Sequence, residues 1–138
     1  MIQYTIKGRV RYAETDQMGY VYYGNYATYF EVARVETFRS IGFSYKELED
    51  SGILMPVVNL NTKYMKPLFY DEEYSVKVTV SKRPTVKIIF DYEVFNSKNE
   101  LTTTGETVLV FVDKNTGRPC QASEYFDNIM AKYFENKW

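Results

Sequence analysis

A strict alternation of apolar and polar side chains runs through much of this chain. Residues 74–80 follow it without a break, and residues 2–12 carry the same pattern. Residues 86–95 place Val86, Ile88, Phe90, Tyr92 and Val94 on one face. A period of two puts alternate side chains on opposite faces, so each segment is predicted to be a half-buried β-strand. Turn-forming residues separate the later segments, namely Lys82-Arg83-Pro84 and Asn96-Ser97-Lys98-Asn99. The pattern therefore favours antiparallel strands joined by short turns.

The period changes to that of a helix in residues 25–41. The apolar side chains there share one arc of a helix, and they are Tyr26, Tyr29, Phe30, Ala33, Phe38 and Ile41. Asn25 is predicted to be the N-cap, and Gly42 the residue that ends the helix in a left-handed conformation. This is the longest helix that the sequence predicts.

Two shorter helices are also predicted. Ser44 and Glu47 have the spacing of a capping box, which indicates a short helix that stops at Gly52. Ser123 is predicted to cap a last helix that extends to about residue 136.

The remaining strand-like segments complete an α+β architecture. Residues 53–65 form one strand, with an edge or bulge expected at Pro56, and residues 101–112 form another. One helix against a five-stranded antiparallel sheet is predicted, with four strands in a meander and a single domain over 1–138. A single helix covers only one face of such a sheet. The other face is predicted to carry Ile89, Leu109 and Phe111, which argues for a partner subunit.

Composition excludes several kinds of function. The chain has no histidine, so Ser-His and Cys-His nucleophile pairs and most zinc sites are ruled out. The net charge of −1 argues against a large nucleic-acid interface. No apolar run is long enough to span a membrane, and the first residues do not resemble a secretory signal. With one cysteine and no intrachain disulfide possible, a cytoplasmic protein is expected.

The Asp16 carboxylate lies in a glycine-punctuated loop just before the long helix. The loop is Tyr12-Ala13-Glu14-Thr15-Asp16-Gln17-Met18-Gly19-Tyr20-Val21-Tyr22-Tyr23-Gly24-Asn25-Tyr26. A helix N-terminus offers free N–H groups and partial positive charge. A carboxylate facing it, such as Asp16, could attack or hydrate a carbonyl whose oxygen those N–H groups hold.

This loop resembles the signature of the hot-dog-fold acyl-CoA thioesterases, specifically the 4-hydroxybenzoyl-CoA thioesterase family. The shared elements are Asp16-x-x-Gly19-x-Val21-Tyr22-Tyr23-Gly24-Asn25-Tyr26, the helix around Tyr29-Phe30-Glu31, Tyr64-Met65-Lys66-Pro67 and Val110-Phe111-Val112-Asp113. The similarity extends over roughly residues 8–120. It implies the hot-dog fold, in which a five-stranded antiparallel sheet wraps a long central helix.

The resemblance also implies a reaction, the hydrolysis of acyl-CoA thioesters to a free acid and coenzyme A. Asp16 would act as nucleophile or as general base for water, and the sequence leaves both open. The backbone N–H of Tyr23 would polarise the thioester carbonyl. Many relatives have histidine at that position, so the tyrosine here removes an imidazole but keeps the amide. No metal or cofactor is expected.

Further residues are predicted to bind the substrate. Gly19, Val21, Tyr22, Gly24 and Asn25 belong to the loop, although Asn25 fits a structural cap better than a direct ligand. Cations near the pocket mouth could hold the coenzyme A phosphates, and the candidates are Lys82, Arg83 and Lys87.

Several alternatives stay open. Acyl groups could be carried by acyl carrier protein instead of coenzyme A, or the chain could bind acyl-CoA without cleaving it. A hydratase of the same fold is disfavoured, because that chemistry in the relatives pairs aspartate with histidine. The resemblance further implies a homo-oligomer, a dimer or a dimer of dimers (a homotetramer), with the active site at a subunit interface.

Overall fold

Five antiparallel strands form the main sheet of the protein, and a long helix lies against one of its faces. The computed structural model describes residues 1–134. The strands of this sheet are β1 Ile2–Arg9, β3 Val57–Tyr64, β4 Glu73–Val80, β5 Lys87–Phe95 and β6 Leu101–Val110. Two short strands, β2 Ile53–Leu54 and β7 Val112–Asp113, pair separately. The helices are α1 Tyr26–Ser40, α2 Tyr45–Asp50 and α3 Glu124–Ala131.

The order of the strands in the sheet differs from a plain four-strand meander. The observed order is β1-β4-β5-β6-β3, so only β4, β5 and β6 follow one another as hairpins. β3 pairs with β6 at the far edge, and β1 pairs with β4. Residues 65–72 join β3 to β4 and include Pro67, a connection much longer than the two-to-five-residue loops of hairpins. The predicted α+β class and antiparallel sheet are confirmed.

Helix α1 packs on the sheet through the arc that its sequence predicts. Tyr26, Tyr29, Phe30, Ala33 and Phe38 are buried, and Thr37, which periodicity did not single out, is buried with them. The Phe30 ring stacks on Tyr92 of β5, with ring centroids 4.3 Å apart. A Cβ atom at Gly105 would lie 2.6 Å from the Phe30 ring. Glycine in β6 therefore lets the helix approach the sheet closely.

The prediction for the sheet face away from α1 is partly wrong. Leu109 and Phe111 face the helices, with exposed fractions of 1% and 0%. Phe111 packs edge-on against Phe126 of α3, at 5.2 Å between ring centroids. Within the apolar run 108–112, buried and partly exposed side chains alternate. The buried ones, Leu109 and Phe111, lie on the helix side of the sheet, where α3 covers the end of β6. Ile89 does lie on the outer face, partly exposed.

The predicted helix ends are largely confirmed. Gly42 follows α1 with φ +84°, and the Ser44 and Ser123 hydroxyls accept hydrogen bonds from the backbone N–H groups of Glu47 and Phe126. α3 ends at Ala131, earlier than expected, and residues 135 and 136 of the predicted helix lie outside the described part of the chain.

Within residues 1–134, no helix combines the length and apolar character that crossing a membrane requires.

Candidate active site

The loop before α1 is a compact turn tied to its neighbours by backbone hydrogen bonds. The N–H of Gly19 donates to the carbonyl of Asp16 at 3.0 Å, and the N–H of Asp16 donates to the carbonyl of Tyr20 at 3.1 Å. Thr15 and Val21 form an antiparallel bridge that closes the turn. Gly19 has φ +83°, a conformation that other residues rarely adopt. Glycine at position 19 therefore lets the loop bend tightly.

The Asp16 carboxylate has a fixed orientation at this turn. Its Oδ1 accepts a hydrogen bond from the N–H of Met18 at 2.9 Å, which is an Asx-turn. Asp16 is partly exposed and lines a cavity. The second oxygen thus keeps its acceptor capacity for a ligand or a water molecule.

The helix begins one turn earlier than its α-helical bounds, in a 3₁₀ turn over Tyr23–Asn25. Among the described residues, the N–H of Tyr23 donates to no protein acceptor. Asn25 holds the N-cap position of α1, but its side chain does not cap the helix, which corrects the prediction. Its Nδ2 donates instead to the carbonyl of Glu14 at 2.8 Å, because the preceding 3₁₀ turn already has helical dihedral angles. The Tyr23 amide is thus a free donor at this helix start.

Asp16 and Tyr23 line the same cavity, which has a volume of about 280 Å³. Four tyrosines and several apolar side chains form its wall, and the complete lining is Asp16, Met18, Tyr20, Val21, Tyr23, Tyr26, Tyr64, Met65, Lys66 and Pro67. Pockets that enclose whole drug-sized ligands usually have about 300–1,000 Å³. The cavity is therefore of a size for an acyl group, and a bulky carrier has to lie outside it.

Tyr64 organises the aromatic wall of the cavity. Its ring packs edge-on against Tyr26 at 5.3 Å and against Tyr23 at 6.3 Å between centroids. Its hydroxyl donates to the carbonyl of Tyr23 at 3.3 Å. Burial raises the pKa of Tyr26 above its ordinary value, so this phenol stays neutral at physiological pH. An uncharged aromatic wall next to one carboxylate and one free N–H suits a neutral carbonyl compound with an apolar acyl group.

The other predicted loop residues have different positions relative to the cavity. Val21 lines it, whereas Tyr22 is exposed and its ring lies against that of Tyr23, at 4.7 Å between centroids. A Cβ atom at Gly24 would lie 2.7 Å from the Tyr22 ring. Gly24 thus gives space to an aromatic side chain, and Tyr22 flanks the helix start from outside the cavity.

The three predicted phosphate-binding cations are not brought to the cavity within one chain. Lys87 lies opposite Val110 at one end of β6, whereas Tyr64 lies opposite Thr103, seven residues away. That separation is about 23 Å along the strand. Lys82 and Arg83 precede Lys87 in the loop between β4 and β5, at the same distant end of the sheet. The cation at the cavity itself is Lys66, whose Nζ is 2.7 Å from the carboxylate of Glu100.

Sequence reasoning missed much of the cavity wall. Tyr20 and Tyr26 belong to the loop and helix that carry the motif, yet they were not predicted as site residues. Residues 64–67 come from the end of β3, about forty positions further along the chain. Their similarity to the same family as the loop was a signal that could have placed them at the site.

Comparisons with known proteins identify the family of the chain. Residues 10–130 match the model of the thioesterase-like superfamily. The chain is 37% identical to the putative acyl-CoA thioesterase YneP of Bacillus subtilis, with 93% of each chain covered. It is 27% identical to the acyl-CoA thioester hydrolase YbgC of Escherichia coli, over 80% of this chain and 83% of that one.

A solved structure shows the same overall fold. The DHNA-CoA thioesterase from Staphylococcus aureus superposes with a TM-score of 0.90 and is 44% identical, covering 96% of this chain and 89% of that one. The family match extends over most of the chain, and the fold agrees with it. This protein therefore belongs to the thioesterase-like superfamily and is a thioesterase of the hot-dog fold, as its sequence predicts.

Proposed function

We propose that this protein hydrolyses acyl-CoA thioesters to a free carboxylic acid and coenzyme A. The observation that carries the proposal is the joint position of Asp16 and Tyr23 on one aromatic cavity of acyl size. The relatives named above are described as acyl-CoA thioesterases, which supports the choice of carrier.

In this mechanism the thioester carbonyl oxygen accepts a hydrogen bond from the Tyr23 N–H. The amide lies at a helix start, so the partial positive charge of the helix adds to the stabilisation of the developing oxyanion. Asp16 then attacks the carbonyl carbon directly, or removes a proton from the water that attacks it. Collapse of the tetrahedral species breaks the carbon–sulfur bond, and coenzyme A leaves as a thiolate that takes up a proton, from Asp16 in the base-catalysed route or from solvent in the direct route. In the direct route, water then hydrolyses the acyl–Asp16 anhydride, which releases the free acid and restores the Asp16 carboxylate.

The acyl group is proposed to be aromatic in the preferred substrate. The rings of Tyr20, Tyr23, Tyr26 and Tyr64 line the cavity, and edge-to-face contacts between rings add about 0.5–1.5 kcal/mol beyond simple burial. The 44%-identical structural relative is named for the substrate DHNA-CoA. A flat aryl ester fits this wall better than a long, flexible alkyl chain.

Thiol release from a panel of thioesters tests the reaction and the acyl preference together. We expect release of coenzyme A, with kcat/KM higher for aryl-CoA than for decanoyl-CoA. The same acyl group on acyl carrier protein serves as the matched carrier control, and slower release is expected from it. Tight binding of every acyl-CoA without thiol release would identify a binding protein and contradict the proposal.

We further propose that two copies of the chain associate through the free edge of β3. That edge carries exposed apolar side chains, including Val58 and Leu60 at 58% and 46% exposure. Exposed edge strands of this kind readily pair with another chain. An antiparallel pair of β3 strands would extend the sheet across both subunits and bury these side chains.

Such pairing would also account for the distant cations. Antiparallel β3 strands place the partner's Val57 end beside the Tyr64 end of this chain. The partner's Lys87 would then lie three strand spacings from β3 of this chain, roughly 14 Å away at about 4.8 Å per strand. Lys82, Arg83 and Lys87 thus remain candidates for the coenzyme A phosphates, contributed across the interface. The partly exposed Ile89, on the outer sheet face, would be available for a dimer of dimers.

Leu60→Lys tests this interface. A charge on the β3 edge should prevent pairing, so sedimentation should show monomers and thiol release should fall at least tenfold. Tyr4→Lys puts the same charge on β1, the opposite edge of the sheet, where Tyr4 is 39% exposed. Tyr4→Lys should leave the mass of the oligomer unchanged. A monomeric unmodified protein, or dissociation by Tyr4→Lys alone, would contradict pairing through β3.

A further inference from the structure

Glu14 is the residue that joins the catalytic loop to the start of α1. Its carbonyl accepts hydrogen bonds from the N–H of Tyr22 at 3.0 Å and from Nδ2 of Asn25 at 2.8 Å. Its Oε1 accepts from the N–H of Arg11 and from the hydroxyl of Tyr29, both at 2.8 Å. One residue thus holds four donors, from both sides of the loop and from the helix.

The helix side of this connection is anchored in the core. Tyr29 is 3% exposed, and its ring stacks on Tyr74 of β4 at 4.6 Å between centroids. Burial and then the hydrogen bond to the Glu14 carboxylate raise the pKa of Tyr29 well above its ordinary value. The hydroxyl therefore stays protonated at physiological pH and can donate to Glu14. Glu14 is held by a rigid partner, since a buried side chain stacked on a strand has little freedom to move.

The bonds of Glu14 enclose the two groups assigned to the chemistry. Asp16 follows Glu14 by two residues, and Tyr23 lies between the donors Tyr22 and Asn25. Glu14 does not line the cavity, and its Oε1 is occupied by two donors. It is therefore placed to fix the distance between the carboxylate and the Tyr23 amide without itself lining the cavity.

We infer that Glu14 is a positioning residue that sets the separation of the Asp16 carboxylate and the Tyr23 N–H. The inference rests on the function proposed for those two groups. Small displacements of reacting groups are costly, since a shift of about 1 Å can lower a rate about 10²-fold. Loss of the Glu14 side chain should therefore affect turnover more than substrate binding.

Three variants test the inference. Glu14→Ala removes both side-chain bonds and should lower kcat by about 10²-fold with KM changed less than threefold. Glu14→Gln keeps an oxygen that can accept from Arg11 N–H and the Tyr29 hydroxyl, so it should retain kcat within about fivefold of the unmodified enzyme. Tyr29→Phe removes one donor alone, and it should lower kcat but add little further loss to Glu14→Ala, because both changes break the same bond.

A background that lacks the Asp16 carboxylate separates positioning from general stability. If Glu14 acts through that carboxylate, Glu14→Ala should reduce the residual thiol release of Asp16→Asn by less than threefold. A full 10²-fold loss in that background would show a role independent of Asp16 and overturn the inference. So would an unchanged kcat in Glu14→Ala, or a kcat that falls only in proportion to the unfolded fraction.

The same variants distinguish a failure of the proposed function from a failure of the positioning role. Full activity in Asp16→Asn would overturn the role of Asp16 itself, whereas an inactive Asp16→Asn beside a fully active Glu14→Ala would overturn only the positioning role. If Glu14→Ala does not fold, Glu14→Gln and Tyr29→Phe still test the positioning role. Retained kcat in the first and reduced kcat in the second support positioning, and equal kcat in both contradicts it.

Discussion

Asp16→Asn is expected to lower the turnover of acyl-CoA by about 10²–10⁴-fold, the range for loss of a positioned general base. The asparagine Oδ1 can still accept the Met18 N–H bond that orients the side chain. The turn and the cavity should therefore remain in place while the proton acceptor or nucleophile is lost. Thiol release under saturating substrate measures the effect, and circular dichroism and sedimentation establish that the fold and the oligomer are unchanged.

Asp50→Asn is the matched control for that experiment. Asp50 lies on α2, and its exposed carboxylate pairs with Lys46 at 3.1 Å. Exposed pairs contribute about 0–1 kcal/mol to stability, so this variant should keep full activity. Activity within tenfold of the unmodified enzyme in Asp16→Asn would remove Asp16 from the mechanism.

Phe38→Ala is expected to lower the free energy of unfolding by about 3–5 kcal/mol, the usual cost of truncating a buried phenylalanine. The side chain is fully buried on α1. Its ring lies within 6.0 Å, centroid to centroid, of four others: Phe43, Tyr45, Phe90 and Phe126. These rings come from the region of α2, from β5 and from α3, so the cavity would loosen several elements at once.

Denaturant unfolding at a fixed protein concentration measures this loss, since association changes apparent stability. Val32→Ala is the control, because Val32 is on the same helix and 48% exposed. Its cost should stay below about 0.5 kcal/mol. Equal losses for the two variants would mean that the aromatic cluster does not hold the helices to the sheet.

Local patterns were sufficient for most elements of the fold. Alternation predicted β4 and β5, and the buried arc of α1 was predicted almost residue for residue. Gly42, Ser44 and Ser123 ended or began helices where expected. These features depend on residues only a few positions away, so the local sequence is enough to predict them.

Features that depend on distant partners were harder to predict. Leu109 and Phe111 were placed on the outer face because nothing local shows that α3 folds back over the end of β6. Asn25 was predicted to cap α1, but the carbonyl of Glu14 lies close enough to bind its side chain. In both cases a contact made across the fold overrides the local preference.

The sequence by itself determined the family, the α+β class and the loop that carries Asp16 and Tyr23, because these follow from short periodicities and one contiguous motif. Only the tertiary structure decided which side chains surround that loop. The wall contributed by residues 64–67 depends on how β3 pairs with β6. The distance of Lys87 from the cavity depends on strand order. The spacing of residues along the sequence predicts neither the wall nor this distance. Strand pairing depends on the packing of the whole sheet and its helices.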